Sequence, residues 1–226
     1  MGGFLRSMVV NQQLNAGGLS EWLLSTRKAL KHNIETDVPC GDCNACCRSY
    51  YFIHINPSET VTVSKIPEQL LFPAPGLPEG NVLMGYDEHG RCPMLVENQC
   101  SIYEHRPQTC RLYDCRIFAA TGVHMDQKDK YRVETRVNRW EFDSSSEQDK
   151  ISKTALVQVA RFLQDHGDCF KPGELPGNAT QLTIFAIKVY DVFLEDLDGI
   201  DNQEIAQRII KKWDAFEAAA NRKESS

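Results

Sequence analysis

Cys40-Gly41-Asp42-Cys43-Asn44-Ala45-Cys46-Cys47 sets four thiols within eight residues. Four more follow at Cys92, Cys100, Cys110 and Cys115, and Cys169 stands apart. A thiolate is a strong, soft ligand, and four of them close a tetrahedral zinc site or hold an iron–sulfur cluster. Two intervening residues let a tight loop aim both sulfurs at one centre. Three cysteines in succession at that interval supply three corners of a cubane, as in bacterial ferredoxins, where a later cysteine precedes a proline. Cys92-Pro93 provides such a pair, so the expected first centre is Cys40, Cys43, Cys46 and a later thiol, foremost Cys92. Cys46 and Cys47 are neighbours, and neighbouring side chains diverge. Cys47 therefore serves a second site or has another role. Cys110 and Cys115 fall on different sides of an ideal helix, so a turn must intervene if both face one metal. The spacing leaves four readings open: an iron–sulfur cluster of the 4Fe–4S kind, one or two structural zinc ions, a mononuclear or dinuclear iron site, or disulfides.

The 226-residue chain is 42% hydrophobic, enough to bury a core without staples. Its net charge of −6 argues against nucleic acid as a partner. No apolar run approaches the roughly 20 residues of a membrane span, and the N-terminus lacks the apolar core of a secretory signal. The expectation is a cytoplasmic protein, and in a reducing compartment clustered cysteines serve metals or redox chemistry rather than disulfides. Residues 105–140 carry eight Lys+Arg against four Asp+Glu. That stretch reads as a solvated basic face, or as a rim for an anionic partner. The redox or protein partner itself is not identified, and no phosphate loop, nucleophile elbow or dinucleotide fingerprint assigns a reaction.

The layout predicts an α+β fold: a small, loop-rich, β-containing metal-binding half packed with a C-terminal helical half. Residues 1–37 form an N-terminal leader and helix, 38–142 the cysteine-cluster region, and 143–226 a helical region. The leader is expected to be loose to Gly18, with a helix over 19–33 capped by Ser20. Strands are predicted at 50–55 and 82–86. A β-meander follows through 91–95 and 100–103, then a short helix after Pro107 and a further strand over 131–142. Helices are predicted over 150–166 (with Ile151 on its apolar stripe and Gly167 as its stop), 182–197 and 202–220.

The eight cysteines come with recognisable neighbours: Cys92-Pro93-Met94-Leu95, Cys100-Ser-Ile102-Tyr103, Arg106-Pro107 and Cys110-Arg111-Leu-Tyr113-Asp-Cys115. In this the stretch 38–118 resembles the CxxCxxCC family of bacterial zinc- or iron-chelating domains. The resemblance implies a metal site built by all eight cysteines and no particular reaction. Arg48, Arg106 and Arg111 stand beside cysteines, where a cation stabilises thiolates, and Tyr103 is placed to donate a hydrogen bond to sulfur. Each has a plainer reading as an ion-pair or packing residue. His54, His89 and His105 read as solvent or capping residues.

Overall fold

The structure is a computed structural model and describes residues 12–36, 38, 40–125 and 130–221. It is an α+β fold, with mainly helical content and three small sheets. The chain enters as β1 (Leu14–Gly18) and passes directly into α1 (Leu19–His32). Leu19, Trp22, Leu23, Thr26 and Ala29 recur every three or four residues and bury one face of α1. Asn33, at φ 49°, ends the helix in the left-handed conformation. Gly18, not Ser20, takes the N-cap position.

The cysteine region is built from short elements: β2 (Ile53–Ile55), α2 (Thr60–Ser64), β3 (Leu71–Pro73) and β4 (Val82–Met84). β4 lies between antiparallel β2 and β3, with Met84 opposite both Ile53 and Leu71. Pro73 sits on the β3 edge, where its missing N–H costs no ladder bond. β5 (Leu95–Val96) and β6 (Gln99–Cys100) form a separate hairpin, so the expected continuous meander is broken in two. Glu97 and Asn98 both take positive φ (48° and 67°), as a two-residue turn of the I′ kind requires. Ile55, Ile66, Met84, Met94 and Ile102 make a small core under these strands.

α3 (Gln108–Leu112), α4 (Arg116–Thr121) and α5 (Tyr131–Val137) follow, then β7 (Trp140–Asp143). The strand predicted over 131–142 is thus a helix and then a strand. Val133 and Val137 are the buried pair of α5, and a four-residue interval satisfies both helical and strand periods. β7 pairs in parallel with β1, Leu14 opposite Trp140. Nothing local marks Asn15-Ala16-Gly17-Gly18 as a strand; its partner comes from far along the chain.

α6 (Glu147–Asp165) starts where Ser146 accepts the Asp149 N–H at 3.1 Å. Leu156, Val159, Ala160 and Leu163 line its inner face, whereas Ile151 is exposed. His166 caps its end, and Gly167 opens a 3-10 turn instead of stopping the helix. α7 (Ala179–Val189) begins at the Asn178 cap and ends earlier than expected. Arg27 takes the carbonyls of Ile187 and Lys188 at 2.9 and 3.0 Å, and the chain tightens into a 3-10 turn over Tyr190–Leu194. α8 (Asn202–Asn221) stacks Trp213 on Phe185, with centroids 4.3 Å apart. The main core joins α1, α4, α5, α6, α7 and α8. No described helix is long and apolar enough to cross a membrane.

Candidate metal centre

All eight clustered cysteines and Cys169 are free thiols. The 40–47 stretch turns at Gly41, whose φ of 53° favours glycine. The Cys43 N–H then closes on the Cys40 carbonyl at 3.0 Å. Cys46–Arg48 winds into a 3-10 turn, locked by the Ser49 hydroxyl donating to Ala45 O at 2.7 Å. The Cys92 N–H donates to the Cys47 carbonyl at 2.7 Å and draws the 92–100 hairpin region onto this loop. Tyr50 N donates to Gly90 O, and the Tyr50 ring lies where a Cβ on Gly90 would fall, 2.3 Å away. Only glycine fits there.

The tight turn sends Cys46 and Cys47 in different directions. Burial raises the Cys46 thiol well above its ordinary range, and the next largest influence is Cys115, followed by Cys47, Cys43 and Cys40. Cys115 is pushed up to about 12, first by burial, and it feels Cys40 and Cys43. Cys47 is also pushed up to about 12 by burial, but its strongest thiol neighbours are Cys92 and Cys100. Cys110 rises to about 12 through burial beside Cys47, Cys92 and Cys100. Cys40 and Cys92 are raised by burial as well. Cys46 and Cys115 thus weigh most with each other and with Cys40 and Cys43, whereas Cys47 and Cys110 weigh most with Cys92 and Cys100, although Cys46 and Cys47 also influence each other's neighbours. Cys46 and Cys115 rest on the main core, Cys92 and Cys100 on the small one. The Cys92 thiol acts most on Cys47 and Cys110, and Cys115 is the thiol that acts most on Cys46. The break at Tyr113 and Asp114 between α3 and α4 supplies a turn between Cys110 and Cys115.

Four soft donors on each side match the chemistry of zinc or of an iron–sulfur cluster. Among the described residues, no three His, Cys, Asp or Glu side chains are already drawn into ligating geometry.

Cations and aromatics surround the first set. The Trp140 indole N–H donates to Cys115 Sγ at 3.3 Å. Arg136 donates to the Cys40 carbonyl at 3.3 Å and lies over the Trp140 ring, 4.8 Å from its centroid. Arg136 and Arg116 both lower the Cys40 thiol, against its burial. Asp114 and Arg116 form a buried ion pair at 2.9 Å, and the Trp22 indole N–H donates to Asp114 at 2.9 Å. Lys130 donates to the carbonyls of Ser49 and Tyr50 and sits over the Tyr51 ring. The Tyr51 and Tyr113 hydroxyls are 3.3 Å apart, and burial near Cys46 raises Tyr113. The basic stretch thus turns Arg116, Lys130 and Arg136 inward onto the cysteine loop rather than outward as a rim. Sequence reasoning missed Asp114, Arg116, Lys130, Arg136 and Trp140 as site residues. The excess of Lys and Arg beside the cysteines was the available signal.

Around the second set, Arg106 lowers the Cys110 thiol and stacks on Tyr103 at 4.2 Å. Tyr103 itself is 54% exposed. Arg48 bonds Asn98 at the hairpin tip, and Asn44 donates to the Asn98 carbonyl at 3.1 Å. Arg111 pairs with Glu35 at 3.1 Å, rather than with Asp114 or Glu104. His54 bonds Asn81 at 2.8 Å, and His89 lies exposed beside Glu88.

Residues 39–145 match the family model CxxCxxCC, described as "Putative zinc- or iron-chelating domain". The matched segment holds all eight clustered cysteines and Trp140, and it bears out the resemblance read from the sequence. The match supports metal binding and covers just under half of the chain. No curated protein and no solved structure shows significant similarity to the chain.

Proposed function

We propose that this chain is a cytoplasmic metal-binding protein with two four-thiolate centres, at least one an iron–sulfur cluster with a redox role in electron transfer or sensing. What supports this reading is that Cys115 is the thiol acting most strongly on Cys46, whereas Cys92 and Cys100 act most strongly on its neighbour Cys47. Cys40, Cys43, Cys46 and Cys115 would hold the first centre, and Cys47, Cys92, Cys100 and Cys110 the second. A bound 4Fe–4S cluster supplies a one-electron couple whose potential responds to charge and to hydrogen bonds on sulfur. The protein contributes both around the first set: Arg116 and Arg136 offset thiolate charge, Trp140 donates to sulfur, and the main core excludes water. Loading draws the thiols together and displaces their protons.

A zinc reading is favoured at the second set. There the short strands share only a small core, and a closed four-thiolate zinc site would supply folding energy the core lacks.

Anaerobic purification with iron, zinc and acid-labile sulfide assayed per chain tests the proposal. Iron with matching sulfide and a brown chromophore supports it. Zinc alone, without sulfide or colour, overturns the redox reading and leaves a structural module. Cys43→Ser and Cys115→Ser should then lose one and the same metal fraction, and Cys92→Ser and Cys110→Ser the other. Equal losses from Cys43→Ser and Cys92→Ser would dissolve the two-set division.

A further inference from the structure

We propose that Trp140 is the positioning residue of the first centre: its indole N–H selects the Cys115 sulfur as a ligand and governs the electron density that sulfur gives to the metal. This rests on the two-centre reading above. An indole carries a single polar atom, a donor. Trp140 is buried, and it spends that donor on Cys115 Sγ at 3.3 Å. Cys115 is the one cysteine among the nine whose surface is buried as a whole, at 6% exposure. A neutral thiol accepts weakly and a thiolate strongly, because a charged acceptor roughly doubles the bond. The contact thus suits the ligating form of Cys115.

The ring is not free to swing away. Trp140 opens β7 opposite Leu14, and the Leu14 N–H bonds the preceding Arg139 carbonyl at 2.7 Å. Arg136 lies over one region of the ring at 4.8 Å and Arg116 at 5.9 Å. A cation against the π-face draws charge from the indole and makes its N–H a better donor. Arg136 also holds the Cys40 carbonyl, so one guanidinium joins the first ligand of the set to the residue that orients the last. Partners of this kind fix ligand orientation, and losing one costs about 10- to 100-fold in metal affinity.

Trp140→Phe keeps an aromatic face for the guanidinium groups but removes the donor together with part of the ring volume. The probe is Co2+, titrated into metal-free protein and followed by its thiolate-to-cobalt charge-transfer absorption. In the parent, two thiolate-rich centres should fill. In Trp140→Phe, one should weaken by about 10- to 100-fold with its charge-transfer band moved to lower energy, because an unbonded thiolate donates more readily. The other centre should be unchanged. Identical affinity and band position at both centres would overturn the role of Trp140 and leave the two-centre reading intact. Absence of thiolate bands in the parent would overturn both. A second measurement avoids any folding defect of the variant. In 15N-labelled parent protein loaded with 113Cd2+, the Trp140 indole proton should show scalar coupling to the metal across the N–H···S bond. An uncoupled indole proton would overturn the proposal.

Discussion

The helical part of the molecule closes on one continuous apolar core to which six of the described helices contribute. The segment from Ile53 to Ile102 shares, among the described residues, a core of five clustered hydrophobic side chains under strands of two or three residues. The first is stabilised by burying hydrocarbon, at about 25 cal/mol per Å². The second has little hydrocarbon and many thiols. On the two-centre reading proposed above, the chain would divide its stability between solvent exclusion and ligand chemistry.

The largest effect should come from stripping the metal. Chelation should abolish hydrogen-exchange protection through residues 40–112 while α6, α7 and α8 keep theirs and still melt cooperatively. Loss of protection throughout would show a single cooperative unit and break the contrast. The converse change is Phe185→Ala, at a ring that is 1% exposed and stacked on Trp213. It should cost about 3–5 kcal/mol by denaturant titration and leave metal per chain unaltered.

A smaller effect should appear with pH in the metal-free protein. Unfolded thiols ionise near their ordinary 9.0, whereas burial holds Cys47, Cys110 and Cys115 protonated up to about 12. Between these values the folded state binds more protons, so stability falls as pH rises, by up to about 1.4 kcal/mol per pH unit for each thiol. Below 9.0 these groups should leave the melting temperature flat. With metal bound the sense reverses, because binding displaces protons and tightens as pH rises. The smallest effect is reserved for Cys169→Ser. That thiol lies 4.0 Å from Asp168, away from both sets, and its loss should change neither metal content nor stability by more than about 0.5 kcal/mol.

Much of this division was legible in the chain. The divergence of Cys46 and Cys47 follows from adjacency alone, and the amphipathic stripes of α1, α6 and α8 from their periods. What escaped depended on partners distant in sequence. Spacing and the Cys-Pro pair favoured Cys92 beside Cys40, and the hydrogen bond from Cys92 N to Cys47 O, which forms only after the hairpin folds back, gave no local signal. Val133 and Val137 fit two periods, so the helix of α5 was hidden behind a strand reading. Arg116, Lys130 and Arg136 were visible as charges, but their inward direction depends on buried carbonyls and rings that no local pattern records.

The parallel pairing of β1 with β7 has a consequence for synthesis. Leu14 leaves the ribosome about 125 residues before its partner Trp140, a wait on the order of ten seconds at cellular rates of elongation. During that interval the first strand has no ladder, and the indole that greets Cys115 does not yet exist. Cys110 emerges before Cys115, so on the two-centre reading proposed above the set containing Cys47 is complete first. The nascent chain would then acquire its metals in a fixed order, with the centre on the main core waiting for the strand that joins the two ends of the segment.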